Sequence, residues 1–265
     1  MENLPQEIAR LLENLDNREK MVAMLAPSFP VMFGYPQIVG KLKRLGFDKV
    51  IEVSVGAAET NRQLLELVKN NPDKKYIASP CPTVVRIIRS KYPQLIKYLT
   101  PIDSPMAATA KIAAEKYPGY LIYFIGPCLL KKMEASQDRP ELEINVITYR
   151  ELQEVFNLKK IKNISEDSLA SFDQIAVPTR LYPISGGLSQ SSGVTQTMTD
   201  EEYDVISGPT LVEKALSEFE NNKRLRLLDI LNCEGGCING PGIDSKLSLD
   251  DRRKKIITHW AKSIR

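Results

Sequence analysis

The chain has 265 residues, of which 43% are hydrophobic and 26% charged, a composition typical of a soluble globular protein. A net charge of +3 is too small to indicate a nucleic-acid or membrane surface, and no apolar run is long enough to span a bilayer. The single histidine argues against a histidine-rich metal site or a serine–histidine–aspartate triad. Because the N-terminus is polar and acidic and does not resemble an export signal, we expect a cytoplasmic location and reduced cysteines.

Short apolar strands alternate with amphipathic helices along most of the chain, and residues 159–205 are less regular. In chain order the pattern predicts a helix over 5–19, a strand over 21–27, a helix over 36–45, a strand over 48–55, a helix through about 70, a strand over 75–79, helices over 82–91 and 104–117, strands over 120–125 and 143–147, a helix after Thr148, a helix over 209–221, a strand over 224–231 and a final helix from about 248.

Alternation of strands and helices predicts crossover units, and therefore an α/β fold of mostly parallel sheet flanked by helices. We expect two lobes, 20–142 and 143–262, with a site between them at the carboxyl ends of the strands, where such folds bind ligands. The whole chain, 1–265, would then form one functional domain.

Each of the four cysteines follows a predicted strand. Cys81 follows the strand over 75–79, Cys128 follows 120–125, and Cys233 and Cys237 follow 224–231. Buried structural cysteines would show no preference for this edge of the sheet. The placement therefore predicts that the four thiols converge on one metal centre.

The spacing of the cysteines bears on which metal they hold. Structural zinc sites pair their ligands as two closely spaced cysteines, twice, whereas here only Cys233 and Cys237 are close in sequence. A 4Fe–4S cluster takes four thiolates and tolerates dispersed ligands. The spacing favours iron–sulfur, and a structural protein with a zinc site remains the alternative.

Three short segments around these cysteines resemble, in order, the signatures of the H-cluster domain of iron-only (FeFe) hydrogenases. The segments are Ala78-Ser79-Pro80-Cys81-Pro82, then Gly126-Pro127-Cys128 with Lys131 and Glu134 downstream, then Cys233 and Cys237 followed by Asn239-Gly240-Pro241-Gly242. The resemblance extends from about residue 20 to 262 and uses every cysteine in the chain.

This resemblance implies a specific cofactor. Cys81, Cys128, Cys233 and Cys237 would hold a 4Fe–4S cluster, and Cys237 would bridge it to a diiron subcluster with CO, cyanide and a dithiolate amine. Maturation proteins install that subcluster, so it is absent from protein made without them. Loaded with it, the family makes or splits hydrogen.

The resemblance also assigns roles around the subcluster. Lys131 would donate a charge-assisted hydrogen bond to one cyanide, Glu134 would orient Lys131, and Ala26 and Pro27 would line the other cyanide. The remaining cofactor-binding positions implied by the match are Pro127, Ser104, Ser185 and Gly186. Ser104 is also expected to cap the helix that follows it.

The sequence departs from the family where protons are relayed. Pro80 replaces the cysteine that passes protons to the cofactor, and Leu64 and Leu67 align with the two relay glutamates. Gly126 and Leu231 replace two methionines that pack the subcluster. Since proline has no titratable group, the usual route is cut. The substitute candidates are Glu66, Glu59 and Asp103.

These losses resemble the sensory branch of the family, so we expect slow, reversible conversion of protons and electrons to H2, used for hydrogen sensing. Expected partners are a ferredoxin-like electron donor or fused ferredoxin-like domain, maturation proteins, and a PAS, kinase or phosphatase output module; the chain itself contains neither the upstream nor the downstream modules. The alternative within the same fold is a non-catalytic 4Fe–4S assembly or scaffold protein.

Overall fold

A computed structural model describes residues 4–78 and 80–263. In the described part of the chain the α-helices are α1 (Gln6–Asp16), α2 (Gln37–Leu45), α3 (Ser54–Asn70), α4 (Pro82–Lys91), α5 (Pro105–Lys116), α6 (Leu130–Met133), α7 (Tyr149–Leu158), α8 (Gly187–Ser192), α9 (Pro209–Glu218) and α10 (Leu249–Ser263). The strands are β1 (Met21–Leu25), β2 (Lys49–Glu52), β3 (Tyr76–Ile77), β4 (Leu121–Gly126), β5 (Asn145–Thr148), β6 (Tyr203–Ser207) and β7 (Leu227–Leu231).

The strands form two parallel sheets. The first has the order β2-β1-β4-β5 and the second the order β3-β7-β6. In the first sheet Leu25 lies opposite both Glu52 and Ile125, so β1, β2 and β4 end at the same edge. In the second sheet Ser207 lies opposite Leu231. This confirms the predicted parallel α/β architecture and aligns the loops that follow the strands.

The predicted lobe boundary at residue 142 does not separate the two sheets. β5, which lies after that boundary, pairs with β4 in the first sheet, while β3, which lies before it, pairs with β7 in the second. The chain leaves the first sheet through α3 and returns to it through α5. Each lobe is therefore assembled from distant segments, because crossover connections can carry the chain from one sheet to the other.

The predicted helices and strands are confirmed apart from their ends. The strand predicted over 75–79 is shorter, Tyr76–Ile77, and β2 stops at Glu52 because α3 begins at Ser54. Inside the region predicted to be irregular lie β6 and the short α8. β6 was missed because it is a partly exposed edge strand that carries Asp204 and no clean apolar alternation.

The central strands are the core of each sheet. Every residue of β1 and of β7 is buried, which matches the continuous apolar runs expected of strands covered on both faces. Asp229 is the acidic exception within β7. No helix in residues 4–78 and 80–263 is long and apolar enough to cross a membrane.

Candidate metal centre

The first two cysteines lie at helix N-termini. Cys81 is the N-terminal cap of α4 and Pro82 its first residue, the position at which proline is favoured in helices. Cys128 lies two residues before α6, and the backbone N–H groups of Leu130 and Lys131 donate to its sulfur. Both positions follow from the sheet, since β3 and β4 end just before them.

The other two cysteines lie in a tight turn after β7. Gly236 adopts φ 99°, and a Cβ there would lie 2.5 Å from the Pro183 carbonyl oxygen, so this turn requires glycine. Ser185 N donates to Gly235 O at 3.0 Å, which joins the turn to the loop before α8. The turn that carries Cys233 and Cys237 is therefore fixed against residues 183–185.

A second close contact joins this turn to the Cys128 loop. Gly242 N donates to Pro127 O at 2.7 Å, and a Cβ at Gly240 would lie 2.6 Å from the same oxygen. Glycine at position 240 is what lets the two backbones approach so closely. The second and third signature segments are thereby locked together.

The four thiols are free and close enough to affect one another. Burial raises the pKa of Cys237 well above its ordinary value, and the nearby Cys81, Cys128 and Cys233 raise it further while Lys131 lowers it. Burial, with Cys81 and Cys128 nearby, raises the pKa of Cys233 to about 11. A cluster of cysteines whose thiols have raised pKa values, as at Cys233 and Cys237, is a ligand set that a metal binds by displacing protons.

The described residues show no compact site for a single ion. Within the described residues, no three cysteine, histidine, aspartate or glutamate side chains are placed to hold one metal ion. Four thiolates on one tetrahedral zinc would be separated by about 3.8 Å, given Zn–S bonds of about 2.3 Å. A 4Fe–4S cluster also takes four cysteine thiolates, with each sulfur on a different iron atom.

A cavity of about 70 Å³ adjoins two of these cysteines, Cys128 and Cys237. Its wall is mostly apolar and includes Ala26, Pro27 and Leu188. One water molecule needs roughly 10–15 Å³ of such space, so the cavity has room for several small groups. The chain therefore has space for a small ligand beside Cys128 and Cys237.

Lys131 forms part of the cavity wall and is 8% exposed. Its Nζ donates to Glu134 Oε2 at 2.6 Å, to Ser104 Oγ at 3.2 Å and to the Pro80 carbonyl oxygen at 3.3 Å. The Ser104 hydroxyl donates to the other carboxylate oxygen of Glu134. These contacts use the three N–H donors of the ammonium and tie the Cys81 loop to the Cys128 loop.

Two of these positions also have a role in their own elements. Ser104 Oγ accepts from Ala107 N at 3.3 Å, so the predicted N-cap of α5 is confirmed. Glu134 begins a π-helical turn, Glu134–Asp138, that continues α6. π-turns often mark functional sites, and here the turn keeps Glu134 facing Lys131.

Hydrogen bonds from Tyr149, a residue that sequence reasoning missed, hold the loop after β1 in place. The Tyr149 hydroxyl donates to Ala26 O at 2.7 Å and shares a hydrogen bond of 2.8 Å with Ser28 Oγ. Tyr149 is fully buried at the start of α7. It fixes Ala26 and Pro27 at the cavity wall. The sequence signal that could have identified Tyr149 was its position directly after the capping residue Thr148.

Tyr182 supplies an unsatisfied polar atom in the cavity wall. Its hydroxyl is buried and has no hydrogen-bond partner among the described residues. Such a group costs free energy unless a water or ligand satisfies it. Together with the converging thiols and the cationic Lys131, it indicates that the cavity fits a polar-edged metal group.

Asp229 is a second cavity residue that sequence reasoning missed. Its carboxylate Oδ2 accepts from Ser189 N at 3.1 Å and from Ser189 Oγ at 2.8 Å, at the start of α8. Burial raises the pKa of this carboxyl, and the hydrogen bonds from Ser189 lower it only in part. The signal was present in the sequence, since Asp229 interrupts an otherwise apolar strand four residues before Cys233.

The substitute proton carriers predicted from sequence do not reach this cavity. Glu66 is bound to Arg62, and its side chain is 60% exposed. Glu59 also pairs with Arg62, and Asp103 pairs with Lys111 and Arg139. Glu66 is exposed because it lies between Leu64 and Val68, which occupy the buried face of α3.

Two other predicted residues lie at the edge of the site. Ser185 N bonds to the cysteine turn, and Gly186 adopts φ 80° and begins α8, whose Leu188 lines the cavity. Pro80 lines the cavity directly, and Ser79 lies outside the described residues.

Comparison with known proteins identifies similar sequences. Residues 19–241 match the family model described as iron only hydrogenase large subunit, C-terminal domain. Iron hydrogenase 1 of Clostridium pasteurianum is 26% identical over 86% of this chain and 50% of its own length. The cytosolic Fe-S cluster assembly factor NAR1 of Encephalitozoon cuniculi is 25% identical over 63% of this chain and 51% of its own. The chain thus spans about half the length of these curated relatives.

Solved structures show the same fold. A variant of the FeFe-hydrogenase HydA1 from Chlamydomonas reinhardtii superposes with a TM-score of 0.72, covering 95% of this chain and 88% of that one. Its sequence identity is 17%, so the likeness establishes the fold alone.

Proposed function

Because the chain belongs to the family of the iron-only hydrogenase large subunit, C-terminal domain, we propose that it is a hydrogen-reactive iron–sulfur protein. Its four cysteines hold a 4Fe–4S cluster, and the cavity beside Cys237 holds a diiron subcluster. The reaction is the reversible conversion of 2H+ and two electrons to H2, run slowly in the cytoplasm for hydrogen sensing. The observation that carries this proposal is the apolar cavity adjoining Cys237 and Lys131.

A cavity of this kind supports a subcluster better than a cubane alone. A 4Fe–4S cluster needs four sulfurs around one space, and the cavity continues past Cys128 and Cys237 to Ala26, Pro27 and Tyr182. The diiron group, when bound, supplies the metal chemistry of hydrogen. The chain supplies an apolar wall that excludes water, and Lys131 as the one charged donor we assign to a cyanide.

The chain must also hold a proton near the group. Pro80 cannot do so, and Glu66 is far out on the surface. We assign this role to the Asp229 carboxyl, which lines the cavity and whose pKa is raised by burial. A buried carboxyl with a raised pKa holds its proton more readily than an exposed one, and a single buried acid without a relay is consistent with a slow reaction.

Electrons and signals require partners outside this chain. The 4Fe–4S cluster would receive electrons from a ferredoxin-like donor or fused domain, and maturation proteins would deliver the diiron unit. A PAS, kinase or phosphatase output module would read the state of the site. These partners follow from the proposed role. The chain spans about half the length of its curated relatives.

A second candidate is a 4Fe–4S assembly or scaffold protein without the diiron group. It is favoured by the three protein acceptors that already engage the Lys131 ammonium, which leave no N–H for a cyanide unless the 3.3 Å contact with Pro80 O is exchanged. The similarity to NAR1 points in the same direction.

Infrared spectroscopy separates the two candidates. The chain is reconstituted anaerobically with iron and sulfide, loaded with the diiron precursor, and measured under argon and then hydrogen, beside Cys237→Ser treated identically. Sharp protein-bound CO and cyanide bands that shift with hydrogen, and that Cys237→Ser lacks, are the expected result. If the cluster is present and accepts electrons but no bound bands form, the scaffold candidate replaces the proposal.

A further inference from the structure

Separate from the cluster cavity, a groove of about 740 Å³ runs between α10 and the segments around Tyr35 and Arg180. We call it the basic groove, defined by Tyr35, Arg180, Lys255, His259 and Lys262. Its volume is in the range of sites that bind small organic molecules, roughly 300–1,000 Å³. The proposed function does not use it.

The groove carries positive charge in excess. Lys255, His259 and Lys262 repeat at helical spacing along one face of α10, so their side chains point into the same space. Lys254 also lines the groove but has Asp251 3.6 Å away. Lys255 and Lys262 have no carboxylate partner among the described residues, which leaves two uncompensated cations.

Arg180 adds a buried donor without a partner. It is 2% exposed, and its Nε donates to Glu52 Oε2 at 2.7 Å while Nη1 donates to Ser263 Oγ. Its Nη2 has no acceptor within residues 4–78 and 80–263. Because a buried guanidinium N–H is costly to leave unsatisfied, this atom points to a ligand that accepts a hydrogen bond in the groove.

An aromatic side chain lies against these cations, with the Arg180 guanidinium over the Tyr35 ring, 5.8 Å from its centroid. Tyr35 is 40% exposed and is held in place by stacking on Phe172, with ring centroids 5.5 Å apart and planes at 11°. His259 packs edge-on against Tyr35 at 5.2 Å. A fixed, exposed ring beside cations suits a ligand with both a planar body and an anionic group.

We propose that the basic groove binds a phosphate monoester with a planar heterocyclic body, that is, a molecule of the nucleotide class. A phosphate monoester carries nearly two negative charges at neutral pH, which matches the two uncompensated lysines. Its oxygens accept hydrogen bonds from Lys255, Lys262 and Arg180. The heterocycle stacks on Tyr35.

Binding would act close to the cluster cavity. Pro30 lines the groove and belongs to the 3-10 turn Phe29–Val31, and Ser28 just before it lines the cluster cavity. His259 contacts Phe29 at 5.1 Å. A ligand in the groove therefore rests on the segment that also forms the wall of the metal site.

Calorimetric titration tests the proposal, with adenosine 5′-monophosphate as the probe and adenosine and inorganic phosphate as its separate parts. Fluorescence of Trp260, the chain's one tryptophan, reports the same binding on α10. We expect saturable binding of the monophosphate, at least tenfold tighter than either part. Lys255→Gln combined with Lys262→Gln weakens it at least tenfold, and Tyr35→Leu weakens it severalfold.

Lys69→Gln combined with Lys214→Gln is the matched control, because both lysines are exposed and removed from the groove and the change in net charge is the same. The control should bind as the parent chain does. The proposal is overturned if the monophosphate shows no saturable binding at millimolar concentration, if inorganic phosphate binds as tightly, or if the control and the groove variant lose affinity equally. None of these measurements requires a loaded metal site.

Discussion

The Lys131 ammonium and the Glu134 carboxylate form an ion pair in the wall of the cluster cavity, with 2.6 Å between Nζ and Oε2 and each side chain 10% exposed. The two residues are three apart, on α6 and the π-turn that continues it. Through Ser104 and the Pro80 carbonyl the pair reaches α5 and the Cys81 loop. It therefore joins three segments that carry the site.

Removing one member of this pair should destabilise the fold before any metal is considered. Lys131→Met leaves the Glu134 carboxylate buried without its cation, and the free energy of unfolding should fall by about 3–5 kcal/mol. Urea denaturation of the metal-free chain at pH 7 measures this. Lys131→Met combined with Glu134→Leu should recover most of the loss, because no buried charge remains.

Lys111→Met provides the control for that measurement. Lys111 pairs with Asp103 at a similar distance, but its side chain is 52% exposed, so its loss should cost less than about 1 kcal/mol. If Lys111→Met and Lys131→Met lower the free energy of unfolding equally, the ion pair at the cavity contributes no more to stability than an exposed pair.

Gly187 should not tolerate a side chain. A Cβ there would collide with the Leu181 carbonyl oxygen, which cannot move without shifting the loop before α8. Gly187→Ala should lower the free energy of unfolding by about 1–3 kcal/mol or more, measured by thermal or urea denaturation. At Gly34 a Cβ would meet the end of the flexible Gln37 side chain at 3.2 Å, so Gly34→Ala should be nearly neutral. A larger loss of stability in Gly34→Ala than in Gly187→Ala would contradict the close contact between Gly187 and Leu181.

Pro80→Cys should restore the interrupted relay if the proposed function is right. Position 80 lines the cavity, and its backbone carbonyl, which Lys131 contacts, remains after the change. A thiol at this position offers the titratable group that proline lacks, and proton transfer of this kind contributes about 10²–10⁴-fold. Hydrogen oxidation by the loaded protein, followed with a dye acceptor, should rise at least tenfold. Pro80→Ser, which lacks the acidic thiol, should not show the rise; equal rates in both variants would argue against the relay.

The sequence located the strand ends better than the division into lobes, for a physical reason. Cys81, Cys128 and Cys233 follow short apolar strands, and local patterns reveal strand ends. Pairing between β3 and β7, in which Tyr76 lies opposite Leu227, 151 positions away, leaves no local trace, so the predicted lobe boundary does not follow the two sheets. Glu66, a candidate for the proton route, has an exposed side chain because two positions along α3 from the buried Leu64 turn a side chain to another face.

Asp229 provides the pH-dependent test. Burial raises the pKa of its carboxyl above the ordinary 3.8, so between those values the folded state holds a proton that the unfolded state releases. The stability contributed by this proton is therefore lost as pH rises through that interval, by up to about 1.4 kcal/mol per pH unit. The neighbouring Tyr182 and Cys237 have pKa values raised well above their ordinary ranges and stay neutral across it.

Asp229→Asn removes the titration and keeps an oxygen that can accept from Ser189. Urea denaturation from pH 4.5 to 8 should show the asparagine variant gaining stability relative to the parent as pH rises, then levelling off. The exposed Asp200→Asn should show no such trend. In the loaded protein, Asp229→Asn should slow hydrogen oxidation at least tenfold while leaving the CO and cyanide bands in place. A pH-independent difference in stability, with an unchanged rate, would remove Asp229 from the proton route and leave it as an anchor for α8.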